Sequence, residues 1–524
     1  MSIMNKNKFK NFINPPHSYW ISSTDARDYP QLTEDINTEV AIIGGGMTGI
    51  LCAHALQKKG IKSIILEAGK IVAGTTAHTT AKITSQHGLI YNKIKNQRGF
   101  ELAKQYADAN ESSIGEIKKI AEENHIECDY IEQSAFIYTQ SDEKMQKIQD
   151  ELKTVEEIGI KASYIDEIPF PISIKGGIRF DSQAQFHPRK FLLPLAEKIS
   201  DSDVHIYERT RAVDLEEGSE YIITTDQGKK ITSKKVIISS HYPFYNKSGM
   251  YFSRIYTERA YIVAIKAKEK YPGGMYINAE DPSRSLRSQM SDENELIFVV
   301  GENHKTGQGD DMVKHYHALI DFADGIFTIE DIPYRWSTQD CMTLDQVPYV
   351  GRYKSDTPNL YIATGFEKWG MTNSMAAATI LSDMILEIEN PWQEVYNPSR
   401  QNILGAAKTF IVENADLAKH LIKGKISPLP ENIELKPGEG KVFESNEGRT
   451  GAFRDDSGNL HLVNTTCTHM GCELNWNSAE RSWDCPCHGS RFTCSGSIIE
   501  GPAVQPLTAD NNVNTVEKII KEDF

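Results

Sequence analysis

The chain has 524 residues, 39% hydrophobic and 25% charged, with a formal net charge of −15. That length exceeds what one core usually supports and predicts two to four domains. That acidity argues against general nucleic-acid or anionic-membrane binding, although a local basic patch escapes the argument.

In chain order, residues 1–39 read as a polar, aromatic-containing lead-in. Its start, "MSIMNKNKFKNFINPPHSYW", is basic but has no apolar signal core and no twin-arginine pair. No run of eighteen apolar residues follows, so no integral membrane segment is expected and the default location is the cytoplasm. Residues 40–67 read as strand, turn, helix and strand. The stretches 100–125 and 143–158 look helical. Several strands are expected over 204–240, with more at 260–266 and 296–300. A long helix is expected at 372–389. A proline-broken connector, part helical, spans 391–430, and from about 431 the texture changes to short strands and turns. The main boundary is placed near 430.

Gly44, Gly46 and Gly49 form G-x-G-x-x-G directly after a predicted strand and at the opening of a predicted helix. The first glycine makes the tight turn, the second admits a pyrophosphate to the backbone, and the third allows close helix–strand packing. The helix N-terminus offers N–H groups and positive dipole to phosphate. Glu67 ends the next strand, where its carboxylate can accept from ribose hydroxyls and repel the extra phosphate of NADP. The motif by itself does not separate FAD from NAD. Three stretches favour FAD: the hydroxyl-rich "GKIVAGTTAHTTAKIT" (69–84); an alternating strand pair over 209–239, with Val213 where a backbone can meet an adenine; and "LYIATGFEKWGMTNSMAAATIL" (360–381), a second strand, glycine turn and helix.

With these motifs, residues 38 to 390 resemble the D-amino-acid oxidase-like superfamily of FAD-dependent oxidoreductases, which includes glycine, sarcosine and γ-glutamylputrescine oxidases. "LDQVPYVGRYKSDTPNLYIATGFEKWGMT" (344–372) is the more specific marker. The resemblance implies an α/β FAD-binding Rossmann-type domain (40–96, 181–249 and 336–390) with an inserted α+β substrate domain (97–180 and 250–335). It implies that Gly44, Gly46, Gly49 and Glu67 hold the ADP part of FAD, with Met47, Thr48 and Ala68 also binding the cofactor. Thr75 and Thr76 would lie near the phosphates and flavin, Val213 near adenine, and Gly365, Gly370, Met371 and Thr372 by the isoalloxazine. Many relatives have a small, glycine-rich turn where this chain has "AHTTAK" (77–82), so His78 and Lys82 face either the flavin or the surface. Lys368, inside the flavin-facing turn, is a further catalytic candidate. Arg284, Arg287 and Arg335 are candidates for binding a substrate carboxylate, with Arg287 carried forward beside Lys368 and His78. Tyr251, Tyr256 and Tyr261 either line a pocket or pack a sheet face.

Near the C-terminus the chain reads Cys467-x-His469, fifteen residues, then Cys485-x-x-His488. Two thiolates and two imidazoles suit zinc or iron. A zinc finger groups its cysteines and its histidines, whereas here each half supplies one of each. That split suits a [2Fe–2S] cluster with two cysteines on one iron and two histidines on the other. The full pattern, C-T-H-x-G-C and C-P-C-H-G-S, resembles the Rieske proteins of cytochrome bc-type complexes over residues 431 to 518 or so. The resemblance implies a small all-β domain (431–524), cluster ligands Cys467, His469, Cys485 and His488, and a disulfide between Cys472 and Cys487. "GPAVQPL" (501–507) would be the proline loop beside the cluster, and Ser490 the donor to a bridging sulfide. Phe492 stands where high-potential members carry tyrosine, which implies a lower potential.

The fifteen histidines contain no pair five apart, so the D-x-x-H-x-x-x-x-H iron site of Rieske oxygenases is not expected. His315 and His317 are read as helix-surface residues. No second dinucleotide motif and no redox-active C-x-x-C appears. The expected function is an FAD-dependent dehydrogenase that oxidises a C–N bond of an amine or amino acid. Its electrons would pass singly through the cluster to an external acceptor, ferredoxin-like or quinone-linked. The alternatives are a redox sensor or electron-transfer module, and inward electron flow from a ferredoxin to FAD.

Overall fold

A computed structural model describes residues 15–510, apart from 247–248, 292–293, 310, 401–402 and 446–447, together with the backbone of 519–520. The basic start of the lead-in lies outside the described residues.

The run Val40–Ile43 and the strand Ser63–Leu66 are buried along their whole length. Continuous apolar strands of this kind belong in a parallel sheet covered on both faces. They lie in an eight-stranded sheet whose parallel core runs Leu360–Thr364, Lys230–Ile238, Ile36–Ile43, Ser63–Leu66, Val204–Tyr207. Tyr349–Arg352 closes one edge antiparallel. Ala212–Glu216 and Tyr221–Thr225 hang antiparallel from Lys230–Ile238. The helices Met47–Gln57 and Gly370–Ile385, both buried along most of their length, pack on one another. Gly44 turns the chain from strand to helix at φ +115°, and a Cβ there would lie 2.5 Å from the Ser239 carbonyl oxygen. Only glycine fits.

A second, nine-stranded sheet runs from the long strand Ile329–Thr343 through Ile255–Ala267 and Glu295–Lys305 to Gly176–Gln185 and Lys82–Ile83. It is antiparallel except where Met275–Asn278 meets Ile131–Thr139. Gly176–Gln185 crosses the boundary expected at 180/181, and Ile329–Thr343 crosses the one expected at 335/336. The strand Glu295–Lys305 runs on into the polar, glycine-bearing stretch that begins at Gly301. His315 corrects the surface reading. It is buried, stacked on His304 with ring centroids 4.5 Å apart, and its Nδ1 lies 2.8 Å from Glu302. Tyr251 and Tyr261 share no pocket: one packs on Tyr349 and Tyr353, the other on His304 and His315.

The connector contains a helix, Ile403–Ile426. Beyond it lie a three-stranded antiparallel sheet (Gly440–Ser445, Gly448–Arg454, Leu460–Asn464) and a four-stranded one (Asn475–Asn477, Ser482–Asp484, Arg491–Thr493, Ile498–Glu500). None of the described helices is long and apolar enough to cross a membrane.

Candidate functional site

A cavity of about 520 Å³ opens at the carboxyl ends of the parallel strands. Open α/β sheets bind ligands there. Gly44, Gly46, Met47 and Thr48 line it from the strand–helix turn, and Glu67 and Ala68 from the next strand. Thr75 and Thr76 line it from the following loop, and Lys368, Gly370 and Met371 from the second glycine turn. Gly46 caps the Met47–Gln57 helix with no side chain of its own, and the first helix N–H, that of Met47, donates to Thr76 Oγ1 at 3.2 Å, so the positive end of the helix lies at the cavity lining. The Glu67 carboxylate accepts from Gly45 N at 2.8 Å and Gly69 N at 2.7 Å. Each oxygen keeps a lone pair for a ligand hydroxyl. Burial pushes the Glu67 carboxyl up, against those two backbone bonds. These features fit a dinucleotide: a helix N-terminus for pyrophosphate, a fixed carboxylate for ribose, and room in the cavity beyond.

Several expected residues stand behind the wall. Gly49 serves packing alone, since a Cβ there would lie 1.9 Å from Gly44 O. Val213 does not line the cavity, although its neighbours Arg211 and Ala212 do. Gly365 abuts Thr343, and Thr372 Oγ1 donates to Thr84 O at 3.0 Å. Arg287 is fully buried away from the cavity, where Thr80 O, Ala81 O, Ser288 O and Gln289 Oε1 accept from its guanidinium. Burial pushes it down to about 9. Arg284 is paired with Glu302. His78 is half-buried outside the lining, with Nδ1 2.8 Å from Gly74 O. Lys82 reaches Ser285 Oγ and Tyr276 O, and burial beside Arg287 pushes it down to about 7.

Lys368 lines the cavity but is held between Glu258 at 3.1 Å and Asp340 at 3.2 Å. Burial works to lower it, yet the two carboxylates hold its ammonium well above the usual lysine range. It is a fixed positive charge rather than a base. The neighbouring Glu367, missed in the sequence, also lines the cavity. Burial pushes its carboxyl up, against the pull of Lys93 and Lys368.

In the C-terminal domain, two loops bring together the four expected ligands. Cys467 and Cys485 are buried, and the His469 and His488 rings lie 4.9 Å apart, edge to face. Nδ1 of His469 and both ring nitrogens of His488 are buried without a hydrogen-bond partner. Orphaned imidazole nitrogens beside two thiols are what a [2Fe–2S] ligand set requires. Cys472 and Cys487 form a disulfide that ties the loops. Their sulfurs also lie within 4.8 Å of Cys485 Sγ, but atoms bonded to each other are not thiolate ligands. Ser490 Oγ accepts from Ala503 N at 3.0 Å, which leaves its proton for a sulfur acceptor. Phe492 is fully buried on the strand beside Trp483.

The two sites share a wall. The segment Ile498–Val504, which takes in the first four residues of the expected proline loop, lines the same cavity as the glycine motif. Gln339 bridges the remaining gap. Its Nε2 donates to Gly489 O at 2.9 Å, one residue after His488, and its Oε1 accepts from Thr306 at 2.9 Å. Gln339 O accepts from His241 Nε2 at 2.9 Å, on the cavity wall. A Cβ at Gly489 would lie 2.3 Å from Thr257, so the glycine permits the close approach. Charge locks the contact. Arg259 of the second sheet, 1% exposed, lies 3.5 Å from both Glu480 and Glu500 of the C-terminal domain. Arg491 holds Glu500 at 3.0 Å and Asp484 at 3.1 Å.

Residues 39–384 match the model of the FAD dependent oxidoreductase (DAO) family, and residues 426–516 that of the Rieske [2Fe-2S] domain. The Rieske 2Fe-2S iron-sulfur protein YhfW of Bacillus subtilis is 45% identical over 493 residues, covering 94% of this chain and 97% of that protein. Gamma-glutamylputrescine oxidoreductase of Escherichia coli is 20% identical over 395 residues, 70% of this chain and 88% of its own. The cytochrome b6-f complex iron-sulfur subunit of Chlorobaculum thiosulfatiphilum is 36% identical over 96 residues, 18% of this chain and 48% of its own. Among solved structures, glycine oxidase from Geobacillus kaustophilus superposes with a TM-score of 0.58 at 16% identity, covering 70% of this chain and 99% of that one. That likeness shows the fold.

Proposed function

The chain belongs to the FAD-dependent oxidoreductase family and carries a C-terminal Rieske [2Fe–2S] domain, and on that premise we propose that it is a dehydrogenase of amines or amino acids whose electrons leave through the cluster to an external acceptor. The observation that carries this reading is the shared wall: the proline loop of the Rieske domain lines the cavity that the glycine motif opens. When bound, FAD would supply a two-electron acceptor for the hydride of the substrate C–N carbon, and the [2Fe–2S] cluster a one-electron relay.

The chain's own residues then have distinct tasks. Gly44, Gly46 and Met47 present backbone to the pyrophosphate, and Glu67 orients the ribose. Gly370 and Met371 bring a second helix N-terminus to the flavin end. Lys368, pinned by Glu258 and Asp340, sets a positive charge at that wall, beside the buried Glu367 carboxyl. Cys467, His469, Cys485 and His488 ligate the cluster. Gln339 holds the His488 loop against the wall through Gly489. Oxidation of a neutral amine to its imine releases two electrons and two protons, and the electrons reduce two equivalents of a one-electron acceptor.

An anaerobic titration with amines, N-methyl amino acids and amino acids tests the reading. The expected result is flavin bleaching followed by the paramagnetic signal of the reduced cluster. Bleaching that leaves the cluster oxidised overturns the route. No bleaching across the panel overturns the amine reading and favours a redox-sensing or ferredoxin-fed module.

A further inference from the structure

The connector helix Ile403–Ile426 has a sidedness that its role as a linker does not require. Glu413 and Asp416 turn inward, where Lys305 meets them at 2.7 and 2.9 Å. Leu421 packs on the hydrophobic cluster around Cys467 and Trp483. The opposite face carries Ile411 (67% exposed), Ala415, Ala418, Ile422 (60%) and Ile426 (73%) at steps of four, three, four and four. That spacing draws one stripe along a helix. Five of the fourteen large hydrophobic side chains exposed among the described residues lie on this one helix: Phe410, Ile411, Val412, Ile422 and Ile426. Exposed lysines 408, 419, 423 and 425 flank the stripe. The outward face is therefore apolar and basic on a chain of net charge −15.

The stripe ends at the cluster. A Cβ at Gly424 would lie 3.0 Å from the Glu473 Cβ, and one at Gly471 would lie 3.8 Å from Lys425 Nζ. Met470, next to the ligand candidate His469, is a further exposed hydrophobic at that end. The patch and the outer cluster loop are thus one continuous surface.

We propose that this helix lies on an anionic membrane surface, with its isoleucines in the headgroup–acyl boundary, its lysines on acidic headgroups, and the outer cluster loop held at the membrane. Charge complementarity selects the occupant: an apolar stripe bordered by lysines, with its carboxylates turned away, is the pattern of an interfacial helix. A second copy docked through the same stripe would set its lysines against these lysines. The cluster would then sit where a membrane-dissolved quinone can accept its electrons, a placement that rests on the proposed outward route; the seating itself does not.

The test is co-sedimentation of the full holoprotein with phosphatidylcholine vesicles, with and without phosphatidylglycerol, at low and high salt. The expected result is pelleting with the anionic vesicles only, weakened by salt. Lys419→Gln and Lys423→Gln should each weaken binding about fivefold, and Ile411→Asp with Ile422→Asp should abolish it. Flavin absorbance and the cluster signal should stay unchanged, which separates lost seating from misfolding. No pelleting above the vesicle-free control, or pelleting that these substitutions leave intact, overturns the proposal. So does a lipid-free dimer that the Ile411→Asp, Ile422→Asp variant converts to monomer. The vesicle assay needs no substrate, so its failure leaves the amine-oxidation reading standing.

Discussion

Replacing Arg259 with methionine should uncouple the two redox sites without emptying either. The guanidinium is 1% exposed and faces Glu480 and Glu500, both 3.5 Å away across the domain contact. Around it sit two cations, Arg259 and Arg491, and three carboxylates, Glu480, Asp484 and Glu500. Without Arg259 a single cation faces all three. Breaking a buried pair from one side costs about 3–5 kcal/mol. Glu480 and Glu500 are 11% and 21% exposed, so water screens part of that and the lower end, about 3 kcal/mol, applies. At 1.4 kcal/mol per decade this is about a hundredfold loss of the docked arrangement. Rapid-mixing spectroscopy after anaerobic flavin reduction reads it directly: cluster reduction should slow by up to that factor while flavin bleaching keeps its rate. Arg259→Lys should recover part of the rate. Cluster reduction at the parental rate in Arg259→Met, with both cofactors present, would refute the claim that this charge lock holds the route together.

Other outcomes follow from the same contacts. Arg491 and Arg259 hold Glu500 and Asp484 below their ordinary values of 4.5 and 3.8, against burial that works to raise them. Depressed carboxylates stabilise above those values and lose their contribution as pH falls through the folded-state pKa. Cluster reduction should therefore be insensitive to pH near neutrality and fail in acid, as stopped-flow traces across pH will show. Gln339→Leu leaves Gly489 O and Thr306 without their partner, a loss of about 1–3 kcal/mol. It should slow cluster reduction while flavin bleaching is unchanged. Glu67→Gln turns an amide N–H toward one of the two backbone N–H groups that the carboxylate now accepts from. FAD affinity should fall about 10- to 100-fold, measured by flavin release. Phe492→Tyr adds a hydroxyl next to the cluster loops. A new hydrogen bond to sulfur worth about 1 kcal/mol raises the potential by about 40 mV, and a redox titration showing no rise would remove Phe492 as its determinant.

Much of the chemistry was legible because it is encoded locally. Gly44, Gly46, Gly49 and Glu67 lie within 24 residues, and one strand–turn–helix–strand unit carries their whole geometry. Cys467-x-His469 and Cys485-x-x-His488 likewise set two loops whose spacing excludes a zinc finger. Helices with a plain apolar period, such as Phe100–Glu123 and Asp142–Ile158, were equally readable. What depended on packing was not. His315 looked like a surface histidine until Glu295–Lys305 brought His304 and Glu302 beside it. Arg287 looked like a carboxylate binder until its strand turned it onto the Thr80–Ala81 carbonyls. Lys368 looked like a catalytic candidate until Glu258 and Asp340, from two other strands, fixed its charge.

By itself, then, the sequence determined which cofactors this protein is built for, because each motif is a short run whose backbone and donor atoms act together. Only the tertiary structure decided that the two sites share a wall. That contact depends on Gln339, Arg259 and Thr257 from one sheet meeting Gly489, Glu480 and Glu500 from another domain. Residues more than a hundred positions apart carry no mutual signal in the chain, because it is their burial together, and the desolvated charge that burial creates, that joins them.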